Sequence, residues 1–452
     1  MHADVVVVGA GLAGLSAAVR AQEFGRTVVV LERSERPLGW GNSLVSGGAL
    51  HAALLDPRSE PQTLINEIRR LTDGEADEAV LRAFAGTAAD ALTWVTEHGG
   101  VLTADGRAQA APHRSAVFTP VRVGTPGLSY EGFGVATFLA SLRRELAAGG
   151  GLILQPARAV GLRRHEERWV VSTEDGREVS GRAVVLADGG FQADPELMRR
   201  YVGYDRYLLR GADTATGDGL RMGLAVGGVP VHMSGFYGHL LVREARHDPR
   251  LWPYPILDVL ASVGVVVGPD GARLVDEGHH GVTTTNAVAR SATPDDCWLV
   301  VDAQAWETVG RVGVTPPNPY LRETGATVLQ APTIEELAVA MGVDPVGLRR
   351  SIDALPAGPP PRTGTVSLST PPWYGIPLLV GVTFTFGGLR VDGHARVLDA
   401  EGEAIPGLYA AGGTMGGLHG GPRDGYAGGL LEALVFGLLA GQDAATRPVH
   451  AR

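Results

Sequence analysis

The chain has 452 residues, 44% of them hydrophobic and 19% charged, values that fit a globular protein with a large core shared between two domains. The formal net charge is −10 and all 39 basic residues are arginine, which excludes a Schiff-base lysine and a lysine-bearing P-loop; with no basic run, nucleic-acid binding is excluded too. Cys297 is the only cysteine, so a disulfide, an iron–sulfur cluster or a CxxC pair is ruled out, and electron transfer would need a bound organic cofactor.

In chain order, the first element is an unbroken β-branched run, Val5 to Val8, the pattern of a buried parallel strand. Gly9, Gly11 and Gly14 follow in GxGxxG spacing and open an alanine- and leucine-rich helix that includes Leu12 and Ala13. A second strand, Thr27 to Leu31, ends at Glu32 and Arg33. Gly9 allows the tight turn, Gly11 lets the backbone approach a pyrophosphate, and Gly14 lets helix and strand pack closely. The helix start then faces the phosphates with free N–H groups, and Glu32 is placed to accept from ribose hydroxyls. Strand, glycine turn, helix, strand and terminal acid in order indicate a dinucleotide site.

The glycine- and serine-rich stretch 39–53 leads into helical segments, of which 78–98 and 134–148 are amphipathic. Strand-like 151–164 and 168–190 follow, and Ala183 to Leu186 ends at the glycine pair Gly189 and Gly190. Residues 214–228 form a glycine-rich turn opening a helix. From about 232 to 378 the texture changes, with proline-rich turns at 315–319 and 358–362. Strand pattern returns at 381–392, and 405–441 reads as strand, glycine-rich loop and apolar helix. The expected division is 1–231 and 379–452 for a split nucleotide-binding domain, with 232–378 inserted as a cap. No second GxGxxG of comparable context argues for a built-in NADPH domain. No apolar run approaches the about 20 residues of a membrane helix. The N-terminus enters a strand almost at once, which leaves no room for a signal peptide, so a cytoplasmic soluble protein is expected.

The blocks GAGLAGLSAA, GNSLVSGGALHAA, VVLADGGF, TGDGLRMG and GLYAAGGTMGGLHGGPR with VFGLLAG, taken in this order, carry a resemblance. Along nearly its whole length the chain resembles the flavoprotein subunit family of succinate dehydrogenase and fumarate reductase. VTFTFGGLRVD and GPDGARLVDEG are most similar to the tricarballylate dehydrogenase branch, with the ketosteroid dehydrogenases more distant. The resemblance implies an α/β, Rossmann-like FAD-binding domain with an α+β cap. It also implies hydride exchange between flavin N5 and a carbon β to a carbonyl or carboxylate, with a protein group handling the proton at the α carbon. Gly41 stands where succinate-type members carry the histidine that attaches FAD, so the FAD is expected to be noncovalent. Asn42, Ser43, Ser46, Gly47 and Gly48 match the flavin-contacting loop. Ala187, Gly189, Gly190, Thr216 and Asp218 match further cofactor-side turns, Asp218 being equally suited to cap a helix. Gly412, Gly413, Gly429 and Leu430 match the last cofactor-binding block.

On the substrate side, Arg423 falls where the family clamps a substrate carboxylate, a task suited to its planar fork; the alternative is a structural or surface arginine. HGGPRDGYAGG carries one extra residue there, which makes Tyr426 a rival contact and proton donor. His239 lies near the family's substrate histidine in the cap. Phe384 replaces a histidine, and an apolar ring cannot hold a second carboxylate. Gly281 stands where fumarate reductases carry their proton-donating arginine, and the upstream relay glutamate and arginine map to Asp258 and Ala261. Fumarate reduction by that mechanism is therefore not expected. His279 and His280 are adjacent to Gly281 and are candidate proton donors against a plain polar loop. They are not expected to hold a metal, because neighbours in an extended chain point to opposite faces.

The leading expectation is an FAD-dependent dehydrogenase or ene-reductase acting on a small organic substrate, with a separate electron donor or acceptor. An O2-using oxidase or hydroxylase and a nonredox FAD-binding scaffold are the alternatives.

Overall fold

The computed structural model describes residues 1–104, 114–121, 132–313, 315–355 and 368–447; the proline-rich turn expected at 358–362 lies outside them. One six-stranded sheet runs in the order Arg396–Leu398, Ala404–Ala410, Ala183–Leu186, Val5–Val8, Val28–Leu31, Leu152–Leu154. Its centre is parallel, with Val5 opposite both Val28 and Ala183. Every residue of the three central strands is buried, which explains their unbroken aliphatic sequence: helices and loops cover both faces.

The helix Leu12–Glu23 lies on this sheet and packs against the C-terminal helix Gly429–Thr446. The two come together at backbone distance. A Cβ on Gly437 would sit 2.5 Å from Ala13 O, and one on Gly441 would overlap Ala17 O. The glycine turn of the first βαβ unit is equally tight: a Cβ on Gly14 would overlap Gly9 O. A three-stranded antiparallel sheet, Ala159–His165, Arg168–Thr173 and Glu178–Gly181, flanks this region.

A second six-stranded sheet is organised by one long strand, Trp373–Thr385. It pairs in parallel with Leu208–Leu209 and antiparallel with Phe236–Val242, Trp298–Asp302 and Leu329–Ala331. The long strand crosses the expected boundary at 378, and Leu208–Leu209 joins its sheet from before the expected boundary at 232. A separate small core of Val265, Val300, Ile334, Leu337, Leu348 and Trp373 lies on the far side of this sheet from the first domain.

Pairing of Phe236–Val242 with the long strand slips between Tyr237 and Gly238, so that Tyr237 stands opposite Phe384 and His239 opposite Gly381. The start of that strand is fixed by the buried Asn286 of helix Gly281–Arg290, which donates to Phe236 O (2.8 Å) and accepts from Phe236 N (3.3 Å). Among the described residues no helix is long and apolar enough to cross a membrane.

Gly14→Ala is expected to lower the unfolding free energy by about 1–3 kcal/mol, the usual cost of extra volume in a packed core. Urea unfolding of the two proteins measures it, and an unchanged midpoint would mean that the turn relaxes around the methyl.

Candidate active site

A single large cavity of about 980 Å³ runs from the first glycine turn to the underside of the second sheet. At one end it is a dinucleotide cradle. Gly9, Gly11, Leu12 and Ala13 line it, while Gly14 lies behind them as packing. Gly9 has φ +99° and a Cβ there would overlap Ala187 O, so the turn accepts only glycine. A Cβ on Gly11, by contrast, would meet only Ser43 Oγ at 3.4 Å: the space in front of this backbone is open, as a pyrophosphate needs.

Glu32 closes the cradle. Its carboxylate accepts from Ala10 N (3.0 Å) and Ser34 N (2.8 Å), pinning the glycine turn to the end of the second strand. Arg33 turns along the wall and donates to Thr214 O and Thr216 Oγ1, both at 2.7 Å. Asp218, the first residue of helix Asp218–Ala225, receives Arg158 through two bonds of 2.8 and 3.0 Å and Arg33 at 3.3 Å. Thr216 therefore stands behind the wall, whereas Arg33 and Asp218 form part of it. Asn42, Ser43, Ser46, Gly47 and Gly48 line the cavity, as do Ala187, Gly189, Gly190, Gly412, Gly413, Gly429 and Leu430. Asp188, between them, is raised to about 6 by burial, against the opposing bond from Gly219 N at 2.8 Å. These residues fit FAD: an open glycine backbone, a helix start for phosphates and a carboxylate at the strand end.

The other end is aromatic. Tyr426 lies 4.3 Å from Tyr237 between ring centroids, 5.5 Å from His419 and 5.4 Å from His51. Phe384 packs at 5.4 Å on Tyr237. Gly429 N donates to Tyr426 Oη at 3.0 Å, and burial pushes that phenol up to about 12. Burial raises Tyr237 still further above its ordinary value. His239 bridges inward: Nδ1 is 2.5 Å from Asp258 Oδ2 and Nε2 is 3.1 Å from Tyr237 Oη. Leu240 N donates to the other Asp258 oxygen at 2.9 Å.

The expected catalytic residues are thus divided. His239, His279, His280 and Tyr426 reach one cavity. Arg423 does not line it. Mutual backbone bonds between Gly420 and Gly425 close a tight hairpin with Arg423 near its tip. There it pairs with Asp73 and donates to Arg70 O at 3.1 Å. Arg423 is thus held by Asp73 in a small pocket that His279, His280 and Tyr426 also line, beside the large cavity. The arginines that do line it, among the described residues, are Arg33, Arg114 and Arg158, the first and last committed to Asp218. His280 caps helix Gly281–Arg290, accepting from Val282 N at 3.2 Å, and His279 is 37% exposed beside Asp276. Glu277 is buried and holds Arg273 and Val266 N. Among the described residues no group of His, Cys, Asp and Glu is arranged for a metal.

Sequence reasoning missed Arg158 and Tyr237 as site residues. Arg158 sits in a strand-like run without a motif. Tyr237 was accessible, because residues two apart on a strand share a face and His239 was already a candidate. Asp258, which matches the family's relay glutamate in sequence, is set against His239 by the tertiary fold.

Glu32→Ala removes the acceptor of two backbone N–H groups, each bond to a charged group being worth about 1.5–3 kcal/mol. Apparent FAD affinity is expected to fall at least about tenfold by fluorescence titration, with Glu32→Gln intermediate. Equal affinity in all three proteins would remove Glu32 from the cradle.

Comparison with known proteins agrees with this geometry. The chain is 24% identical over 468 residues to a probable fumarate reductase of Shewanella frigidimarina, spanning 98% of this chain and 74% of that protein. It is 25% identical over 564 residues to 4-oxocyclohex-2-ene-1-carboxylate 5-dehydrogenase of Sinomonas cyclohexanicum, spanning 98% and 93%. Its fold superposes on 3-ketosteroid-delta4-(5alpha)-dehydrogenase of Rhodococcus jostii with a TM-score of 0.76 at 22% identity, covering 99% and 97% of the two chains. The sequence model of the FAD binding domain matches residues 4–426, so the chain belongs to this family of flavoproteins and FAD is its cofactor.

Proposed function

We propose that this FAD-dependent dehydrogenase or reductase acts on a carbon–carbon bond next to a ketone carbonyl, and not on a dicarboxylate. The observation that carries the reading is the state of Tyr426. Its oxygen is occupied as an acceptor by Gly429 N, so its own hydrogen is left for an acceptor at the cavity. With burial raising its pKa to about 12, the phenol stays protonated at neutral pH and serves as a donor. A carbonyl oxygen held by this O–H would lie beside the start of helix Gly429–Thr446, whose positive end opposes negative charge developing on that oxygen.

Bound FAD supplies the hydride acceptor or donor for the carbon β to the carbonyl. The rings of Tyr237, Phe384 and Phe386 make the adjoining surface apolar, and an unpaired carboxylate desolvated against them would be strongly disfavoured. The engagement of Arg423 with Asp73 supports the same reading. A separate electron donor or acceptor sets the direction of the reaction. Gly41 at the cavity wall supports noncovalent FAD, and the lone buried thiol of Cys297 supports a cytoplasmic setting.

Cyclic ketones are the natural probes, given relatives named for an oxocyclohexene carboxylate and a ketosteroid. Anaerobic mixing with cyclohexanone, 4-oxocyclohexanecarboxylate or a saturated 3-ketosteroid is expected to bleach the flavin band, and succinate is expected to leave it unchanged. Tyr426→Phe should slow bleaching about 10²–10³-fold, the usual loss for one oxyanion donor. Faster bleaching by succinate than by any ketone would overturn the ketone reading. Rapid reoxidation by air with peroxide release would instead favour an oxidase, and no bleaching by any probe would favour a nonredox scaffold. Acid precipitation should leave the yellow colour in the supernatant; colour kept in the pellet would mean a covalent bond.

A further inference from the structure

We infer that Tyr237, His239 and Asp258 form the proton relay of this site: Tyr237 is the catalytic residue that exchanges the proton α to the ketone, while His239 and Asp258 position it and take up its own proton. The inference rests on the ketone reading above and deepens it by naming the group that works opposite the hydride.

A buried tyrosine cannot act as a base alone. The phenol of Tyr237 lies far above its ordinary range because burial disfavours the phenolate, and neighbouring Tyr426 and Asp258 push the same way, with only Arg210 opposing. Proton removal by this oxygen requires a second base that takes the phenolic hydrogen in the same step. His239 occupies that position. Its Nδ1 faces Asp258 Oδ2 at 2.5 Å, which fixes the ring hydrogen on Nδ1 and leaves Nε2 as an acceptor 3.1 Å from Tyr237 Oη. Asp258 is buried, and burial opposes its ionisation; the charge and hydrogen bond of His239, with the bond from Leu240 N, nevertheless hold its carboxyl below the ordinary range. An ionised carboxylate behind Nδ1 stabilises the imidazolium formed when Nε2 takes the proton, the logic of a nucleophile–histidine–aspartate chain with a phenol in the first place.

In dehydrogenation the α C–H bond breaks and its proton bonds to Tyr237 Oη, as the Tyr237 O–H proton bonds to His239 Nε2. The electron pair of that C–H bond becomes the new carbon–carbon π bond, and the β hydrogen leaves with its pair to FAD. The substrate loses two electrons, FAD gains them, and the relay holds one proton. Reduction runs the same steps in reverse.

The chain is built around this arrangement at three independent points. The strand slip between Tyr237 and Gly238 faces Tyr237 toward Phe384 and the cavity. Asn286 fixes the backbone at Phe236, the residue before it. Gly281 leaves the space for Asp258: a Cβ there would lie within 2.6 Å of Asp258 Cγ and would overlap Oδ2. A side chain at 281, where the resembled fumarate reductases carry their arginine, and the Asp258–His239 pair cannot share this space.

The charged and titratable groups facing the relay are His280 toward Asp258, and Arg210, Tyr254 and Tyr426 toward Tyr237.

The test uses FAD-loaded protein with the three ketones named above. Tyr237→Phe is expected to slow anaerobic bleaching about 10³-fold or more, and His239→Gln and Asp258→Asn about 10–100-fold, within the range of acid–base catalysis. FAD content and thermal midpoint are expected to stay near those of the parent protein. In parallel, dithionite-reduced holoenzyme, which cannot accept hydride, is incubated with each ketone in D2O and α-deuteration is followed by NMR. The parent protein should exchange the α hydrogens and Tyr237→Phe should not. Exchange without bleaching in the parent, lost in Tyr237→Phe, would sink the dehydrogenase reading while supporting the relay. Exchange retained in Tyr237→Phe, or no exchange of any ketone in the parent, would overturn the relay.

Discussion

Asn42 is the pin on which the geometry of this protein turns. Its side chain donates to Thr383 O at 2.9 Å and accepts from Ala212 N at 2.7 Å. One amide thus ties the loop behind the first glycine turn to the end of the long strand Trp373–Thr385 and to the chain following Leu208–Leu209. Gly211 adds to the closeness, since a Cβ there would lie within 3.0 Å of Thr383 C and 2.8 Å of Asn42 Oδ1. A half-buried amide whose donor and acceptor are both spent on backbone specifies register between segments distant in sequence. It sets the cofactor cradle against Phe384 and, across the slipped strand pair, against Tyr237.

Charge follows the same division of the cavity. At the cradle end, Arg33 and Arg158 converge on Asp218 and anchor a wall suited to a polyanion. At the far end phenols and imidazoles pack ring to ring, and the acids there are committed to histidines, Asp258 to His239 and Glu432 to His419. The proposed relay places a carboxylate behind a histidine, and the histidine behind a phenol. In that proposal the relay stands in place of a charged guanidinium, and Gly281 leaves the room for Asp258.

Much of the cradle was legible in the sequence because its requirements are local. A turn that admits only glycine, an open backbone at Gly11 and an acid at the end of a strand are short-range demands written at fixed spacing. Phe384 in place of a family histidine was likewise informative by itself, and the ring cluster around it agrees with a less polar site. Arg423 was not legible in this way. Its residue type suited a carboxylate clamp, but its direction is decided by the hairpin closed between Gly420 and Gly425 and by Asp73 across the surface. His280 reads in sequence as a candidate proton donor, and the fold adds a second task, since its Nδ1 accepts from the backbone of the helix it caps.

The sequence by itself determined the FAD-binding unit, the chemistry it brings and the absence of the fumarate-type arginine, because each depends on residue identity within one short segment. The tertiary structure decided which side chains gather at the far end of the cavity. Asp258 is brought to His239 by a short helix and an empty Cβ position at Gly281, and the strand slip sets Tyr237 opposite Phe384, contacts between segments distant in sequence.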